Sequence, residues 1–367
     1  MPDRPESQLG DLTDGDDRWQ AAFFEAAEHA FLSAQVAAGG SDERTFTIAG
    51  YRVRLRFAGR SLIPSMTTAL AHLVSEPSES PDLTVCIWDS ASTRTPMVPP
   101  PWPTADHSIP GLNQLFRTER FHTLFQPANC ALSMLDRSRD LALWWIPDAS
   151  QLTYYETISP LRTLLHWWMS RHGRQLVHAG AVGTAHDGGV LLPAKGGSGK
   201  STTALACLEA GLSYLGDNSI LLGTDGLPVH AYSLYNSAAL HSTHLEETLP
   251  HLLPLIWNPQ QLGQQKAFTF LHERYPTQMI ASLPIRAVLV PRFTGHRDTE
   301  LAQSSPAASL KALVPSTVFS LPGAGRETFE TLVRVVGPLR HYVLNLGTDL
   351  SQVPRAISNL LRTLLSP

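Results

Sequence analysis

Charge is scarce in this chain. Asp, Glu, Lys and Arg make up only 16% of its 367 residues, and the net charge at pH 7 is −4. That balance excludes a broadly basic surface, so no nucleic-acid partner is expected. Cysteine is scarcer still, with Cys86, Cys130 and Cys207 far apart and outside any metal-ligand spacing. Three thiols cannot all pair within one chain, which points to a reducing compartment. No apolar run reaches the roughly 18 residues of a spanning helix, so no membrane partner is expected. Met1 to Asp17 is polar and acidic, without the apolar centre of a signal peptide. Together these absences predict a soluble, cytoplasmic protein.

What is present supports well-formed cores. Hydrophobic residues reach 43%, and 28 prolines imply many loops and strand edges. The length suits two domains, or three. Residues 1–16 read as a disordered tail rich in Asp, Gly and Pro. Residues 17–150 read as an α+β N-terminal domain, and residues 151–367 as a second, α/β domain.

In the first domain, Phe23, Phe24, Ala27, Phe31 and Ala34 recur at helical spacing. Thr45 to Phe57 alternates around Ala49-Gly50 and reads as a hairpin, with Arg52, Arg54 and Arg56 on one solvated strand face. Leu83–Asp89 reads as a strand. Ala131–Leu135 and Leu141–Ile146 read as a strand pair around a turn. This makes the first domain mostly antiparallel. The Pro-rich run from Pro96 to Pro110 cannot be helix or central strand and reads as a surface loop. Further on, Ser159-Pro160 reads as the N-cap and first residue of a helix that ends at Gly173.

One segment carries chemistry. Ala194-Lys195-Gly196-Gly197-Ser198-Gly199-Lys200-Ser201-Thr202 reads as a P-loop, or Walker A motif, with Ala194 in place of the first Gly. Gly188 to Pro193 reads as the strand before it. Lys200 to Ala210 reads as the helix after it, with Gly211 as its stop. Amides of such a loop and the positive helix end wrap a phosphate. Lys200 would reach the β- and γ-phosphates of ATP, and Ser201 would hold Mg²⁺. Asp217 follows Lys200 by seventeen residues, one helix and one short strand later. It reads either as a turn cap or as the base acting on the acceptor, and its distance from the loop favours the base. A nearby Lys or Mg²⁺ would keep it ionised, and with Ser201 it is a candidate ligand for the Mg²⁺. His178 reads equally as a core histidine or as a site residue. The segments carrying His178 and Asp217 are expected as strands on either side of the loop strand.

These residues resemble the catalytic domain of the HPr kinase/phosphorylase family. Its members are bacterial serine kinases with a fold related to that of phosphoenolpyruvate carboxykinases. The resemblance covers roughly residues 174–235. A His-Ala segment precedes the loop at His178, and an Asp follows it at Asp217. It implies that Asp217 is the general base on an acceptor serine and that His178 assists by hydrogen bonding. Asn218 stands where the family carries a second Asp. The family's Glu-x-Arg-Gly signature, tied to the reverse reaction, is absent, since the chain has no Arg-Gly pair. Looser relatives carry stretches like Leu283 to Arg292 and Pro315-Ser316-Thr317. Lys266, Arg286 and Arg292, in that order, are candidates for a second phosphate cation. Glu246 and Glu247 are candidates for a further metal ligand.

The resulting expectation is an ATP- and Mg²⁺-dependent kinase acting on a hydroxyl, with serine of a protein or peptide as acceptor. The N-terminal domain would select the substrate, and a homo-oligomer stays open. A small-molecule kinase and a silent nucleotide-binding module are the alternatives.

Overall fold

Alternation, helical spacing and glycine turns divide the chain into its elements. The structure, a computed structural model, describes residues 17–102, 114–193, 197–241, 245, 249–262 and 264–365. The expected tail at residues 1–16, residues 103–110 of the Pro-rich run, Ala194, Lys195, Gly196, Glu246 and Glu247 lie outside the described residues. The chain divides into two compact units. The first holds the residues up to Thr45, Arg52–Pro64 and Glu76–Thr153; the second holds Phe46–Tyr51, Ser65–Ser75 and Tyr154–Pro367.

Helix α1 (Asp17–Ala37) buries Phe23, Phe24, Ala27, Phe31 and Ala34 along one face. Strands β1 (Ser41–Ile48) and β2 (Tyr51–Ala58) join through Ala49 and Gly50, both at positive φ (51° and 91°). Two such residues give the turn whose twist matches paired strands. Arg54 and Arg56 lie 3.6 and 3.5 Å from Glu43 of β1, so the arginine face is partly paired within its own hairpin.

Then follow α2 (Ile63–Thr67), β3 (Val74–Ser75), β4 (Leu83–Asp89), α3 (Ser90–Thr93), β5 (Gln114–Arg117), β6 (Phe121–Gln126), β7 (Ala131–Asp136) and β8 (Leu141–Ile146). They complete a sheet of order β3-β1-β2-β4-β8-β7-β6-β5. The β1–β2 hairpin and the β5–β6, β6–β7 and β7–β8 pairings are antiparallel, as expected, but the centre is parallel, at β2–β4 and β4–β8. The connection after β4 takes the chain to the far edge. Three antiparallel steps then return β8 beside β4, running the same way. Hairpin patterns show neighbours in sequence and miss pairings made by such a crossover.

The second unit is a sheet covered on both faces. Helices α4 (Tyr154–Ile158) and α5 (Arg162–Arg171) lead into β9 (Arg174–Val177), β10 (Ala179–Thr184) and β11 (Gly188–Pro193). The Ser159-Pro160 pair does not cap α5. Leu161, at φ 56°, precedes its first residue, and the Ser159 N–H closes α4 on the Tyr155 carbonyl. The Pro160 carbonyl accepts the Tyr235 hydroxyl at 2.7 Å. The pair is therefore a junction between two helices.

After β11 come α6 (Lys200–Glu209), β12 (Ser213–Gly216), β13 (Ile220–Gly223), β14 (His230–Tyr232), β15 (Ser237–Leu240), β16 (Ala267–Phe270), β17 (Ser282–Phe293) and β18 (Glu300–Gln303). Helices α7 (Pro306–Val318) and α8 (Arg326–Val336), strand β19 (Arg340–Leu346) and helix α9 (Gln352–Leu365) end the chain. The sheet order is β12-β10-β11-β17-β14-β13-β9, with β18 and β19 attached beside β17. All six residues of β11 are buried. Val190 and Leu192 pack with Leu205 of α6 and Ile357 of α9, while Leu191 packs with Leu313 of α7 and Leu332 of α8. Burial on both faces explains why this strand reads as an unbroken apolar run.

Two early segments belong to this second unit. The Asn236 amide donates to the Thr68 carbonyl at 2.8 Å, and His72 Nε2 meets Ser233 Oγ at 2.6 Å. The Tyr51 hydroxyl donates to the His172 carbonyl at 2.9 Å. Among the described residues, no helix is long and apolar enough to cross a membrane.

Candidate functional site

The site forms where β11 gives way to α6. Gly197 and Gly199 take positive φ, 81° and 97°. At Gly199 the requirement is twofold. A Cβ there would also lie 2.3 Å from Leu346 Cδ1 and 3.1 Å from the Phe293 ring. Lys200 opens α6, with Gly199 as its cap. The Gly199 carbonyl accepts both the backbone N–H and the hydroxyl of Thr203, at 2.9 and 2.8 Å. The first turn of a helix leaves N–H groups without intrahelical partners and carries the positive end of its dipole. That turn meets a cavity of about 410 Å³ lined by Gly197, Gly199, Lys200, Ser201 and Thr202. The volume is within the range of small-ligand sites, about 300–1,000 Å³.

Lys200 and Asp217 form a buried ion pair. Lys200 Nζ donates to Asp217 Oδ1 at 3.0 Å and also to the Asp217 backbone carbonyl. Their side chains are 7% and 1% exposed. Two charges removed from water at this depth are tolerated because each compensates the other. Asp217 Oδ2 is buried and has no hydrogen-bond partner among the described residues.

His178 lies between β9 and β10. Its backbone N–H donates to Thr317 Oγ1 at 3.0 Å, and the residue lines the cavity. Burial, reinforced by the positive charges of Lys200 and Arg162, lowers its pKa from 6.5 to about 3. The imidazole is therefore neutral near pH 7 and keeps one nitrogen lone pair for accepting a hydrogen bond. Asn218, next in sequence to Asp217, lines the same cavity.

The strand order differs from the expected one. β10, which follows His178, does flank the loop strand β11. β12, which leads to Asp217, lies beyond β10, and β17 occupies the other side of β11. Small residues allow this arrangement: a Cβ at Gly180 of β10 would lie only 3.0 Å from the Gly216 carbonyl of β12. Among the candidate cations, Lys266 lines the cavity. Arg292 is exposed and does not line it. Arg286 packs against Gly188, at the opposite end of β11 from the loop. At about 3.3 Å per residue the five steps of a six-residue strand separate its ends by about 17 Å, which removes Arg286 from consideration.

Sequence reasoning missed the rest of the wall. Tyr154, Tyr155 and Ile158 of α4, Ala239 and Leu240 of β15, His241 and Phe293 all line the cavity. They come from distant segments and share no local pattern. The Ser237 hydroxyl fastens β15 to α4 through the Ile158 carbonyl at 2.6 Å. Thr317 lay within the quoted Pro-Ser-Thr stretch, and its bond to His178 is what distinguishes it.

Among the described residues, no group of three or more His, Cys, Asp or Glu side chains could hold a metal ion. Mg²⁺ held between substrate phosphates and water needs only one or two protein ligands. The chain is similar to the structure of the Hpr(Ser) kinase/phosphatase from Coxiella burnetii, at 11% sequence identity and a TM-score of 0.27. That similarity covers 52% of this chain and 95% of the other. No family model matches the chain, and no curated protein does.

Proposed function

We propose that this chain is an ATP-dependent phosphotransferase that phosphorylates a hydroxyl group, with serine of a protein or peptide as acceptor. The observation that carries the reading is the buried Lys200–Asp217 pair behind a glycine turn and a helix N-terminus that open on one cavity. The residues fit a nucleotide. Gly199 keeps the turn clear of a Cβ, and Asp217 Oδ2 is a buried oxygen without a partner among the described residues. The amides at the start of α6, Lys200 and Thr202 would hold phosphate oxygens. Ser201 would hold the accompanying Mg²⁺, which leaves Asp217 for the acceptor. The bound nucleotide supplies the phosphoryl group, and its metal offsets the charge that develops as the group transfers.

The chain's own residues divide the remaining work. Asp217 Oδ1 fixes Lys200 in place. Oδ2 is the atom left to orient the acceptor hydroxyl and take its proton. Neutral His178 accepts a hydrogen bond at the acceptor, held in position through Thr317. Lys266 adds a positive charge at the cavity wall.

The test is labelling of a host lysate with γ-labelled ATP, Mg²⁺ and purified protein, beside an Asp217→Asn variant. A polypeptide labelled by the wild type and not by the variant is the expected result. Transfer only to a small molecule would replace the proposed acceptor. A second reading, nucleotide binding without transfer, draws on Asn218, a carboxamide at the cavity wall beside a carboxylate already engaged by Lys200. ATP binding by calorimetry with no transfer to any acceptor would favour it.

A further inference from the structure

A second cavity, of about 420 Å³, lies within the first unit. Its walls are Phe23 of α1, Phe125 of β6, Trp102 and Trp145, and its roof is the Pro96–Pro100 run. Among the described residues, no charged side chain lines it. The roof is stiff, because proline fixes φ near −65° and cannot settle into the space beneath. The walls are held as well. The Trp145 indole N–H donates to Ser90 Oγ at 2.9 Å. Trp102 meets Phe23 edge to face, with centroids 5.3 Å apart.

Its chemistry narrows what can enter. A charged molecule would lose its hydration and find no counter-charge. Water gains little in an apolar cavity of this kind. Two lining residues keep a donor: Ser90 accepts from Trp145 and its own hydroxyl proton has no partner among the described residues, and the buried Trp102 indole N–H has none either. Cys130 lines the cavity and is exposed, whereas Cys86 and Cys207 are buried. Burial pushes the Cys86 thiol up to about 12 and raises that of Cys207 further. Cys130 is therefore the thiol that reacts in the folded chain, and it stands at the cavity wall.

We infer that this cavity is a binding site for a small, neutral, largely apolar or aromatic molecule carrying a hydrogen-bond acceptor. The inference is independent of the proposed phosphotransfer, which concerns residues of the second unit.

The experiment uses the full chain and prodan, a neutral naphthalene with a single ketone. Prodan emission shifts to the blue and saturates at one molecule per chain. At saturation, alkylation of Cys130 by iodoacetamide, followed by mass spectrometry, slows at least tenfold. Val98→Arg, at a half-buried roof position, weakens prodan binding at least tenfold while the circular dichroism is unchanged. Met97→Lys serves the same purpose if the first variant does not fold. Absence of saturable emission, equal binding by a folded roof variant, or an unchanged rate at Cys130 would each overturn the assignment.

Discussion

The two cavities solve the same problem with opposite materials. The one in the second unit gathers Lys200, Lys266, His178 and Asn218, and each charge or lone pair there needs compensation. It is supplied by an ion pair, a helix end and a network of backbone bonds. The one in the first unit is walled by tryptophan, phenylalanine and proline and needs no compensation. A polar site is costly wherever one partner is removed. An apolar site is costly only in proportion to the volume removed.

Acid should separate the two units most strongly. His178 and His72, both in the second unit, have pKa values lowered from 6.5 to about 3, chiefly by burial. Between those values the unfolded chain binds protons that the folded one does not. Stability of the second unit therefore falls as pH drops from about 6.5 towards 3. In the first unit, burial alone would raise Asp136, but the Arg120 and Ser138 hydrogen bonds outweigh it and hold the carboxyl low. Its contribution is lost only below the ordinary carboxylate range. Hydrogen exchange at pH 5 should show the second unit opening first. Equal loss of protection in both units would break the comparison.

The next largest effect concerns the ion pair. Lys200→Met leaves Asp217 buried without its partner and should cost about 3–5 kcal/mol. The Lys200→Met/Asp217→Asn double variant should recover much of that in urea unfolding. A double variant no more stable than the single one would show that the pair does not compensate itself. Trp102→Ala is the counterpart in the first unit, with an expected cost of about 3 kcal/mol through lost volume. That cost should be the same in low and high salt; a salt-dependent cost would mean that the apolar wall does electrostatic work after all. Gly199→Ala should cost about 1–2 kcal/mol for the left-handed backbone and about 1 kcal/mol more for displacing Leu346. It should weaken ATP binding in calorimetry far more than it weakens the fold, and equal losses would make Gly199 a packing residue alone.

Legibility in the sequence followed locality. Helix α1, the β1–β2 hairpin and the strand–glycine–helix passage into α6 are contiguous patterns, and each lies where periodicity or glycine placement put it. Pairings made at a distance were not readable. The parallel centre of the first sheet and the placing of β12 beyond β10 follow from crossovers, which leave no local mark. The same holds for the site. Lys200 and Asp217 are linked by a short excursion, so their meeting was legible. Tyr154, Leu240 and Phe293 reach the cavity from three segments with no shared spacing. Ser159-Pro160 shows the reverse error, a strong local cap signal overruled by the junction of two helices.

The interleaving of the two units sets a timetable for synthesis. His72 and Thr68 leave the ribosome early, yet their partners Ser233 and Asn236 follow 161 and 168 residues later. At about 5–20 residues per second that is a wait of roughly 10–30 s. Throughout it, Phe46–Tyr51 and Ser65–Ser75 have no second unit to join. The first half of the chain thus emerges with its own core available and two segments still waiting. A nascent chain stalled before residue 233 would expose those segments to chaperones, and a gene fragment starting at Tyr154 would lack them altogether.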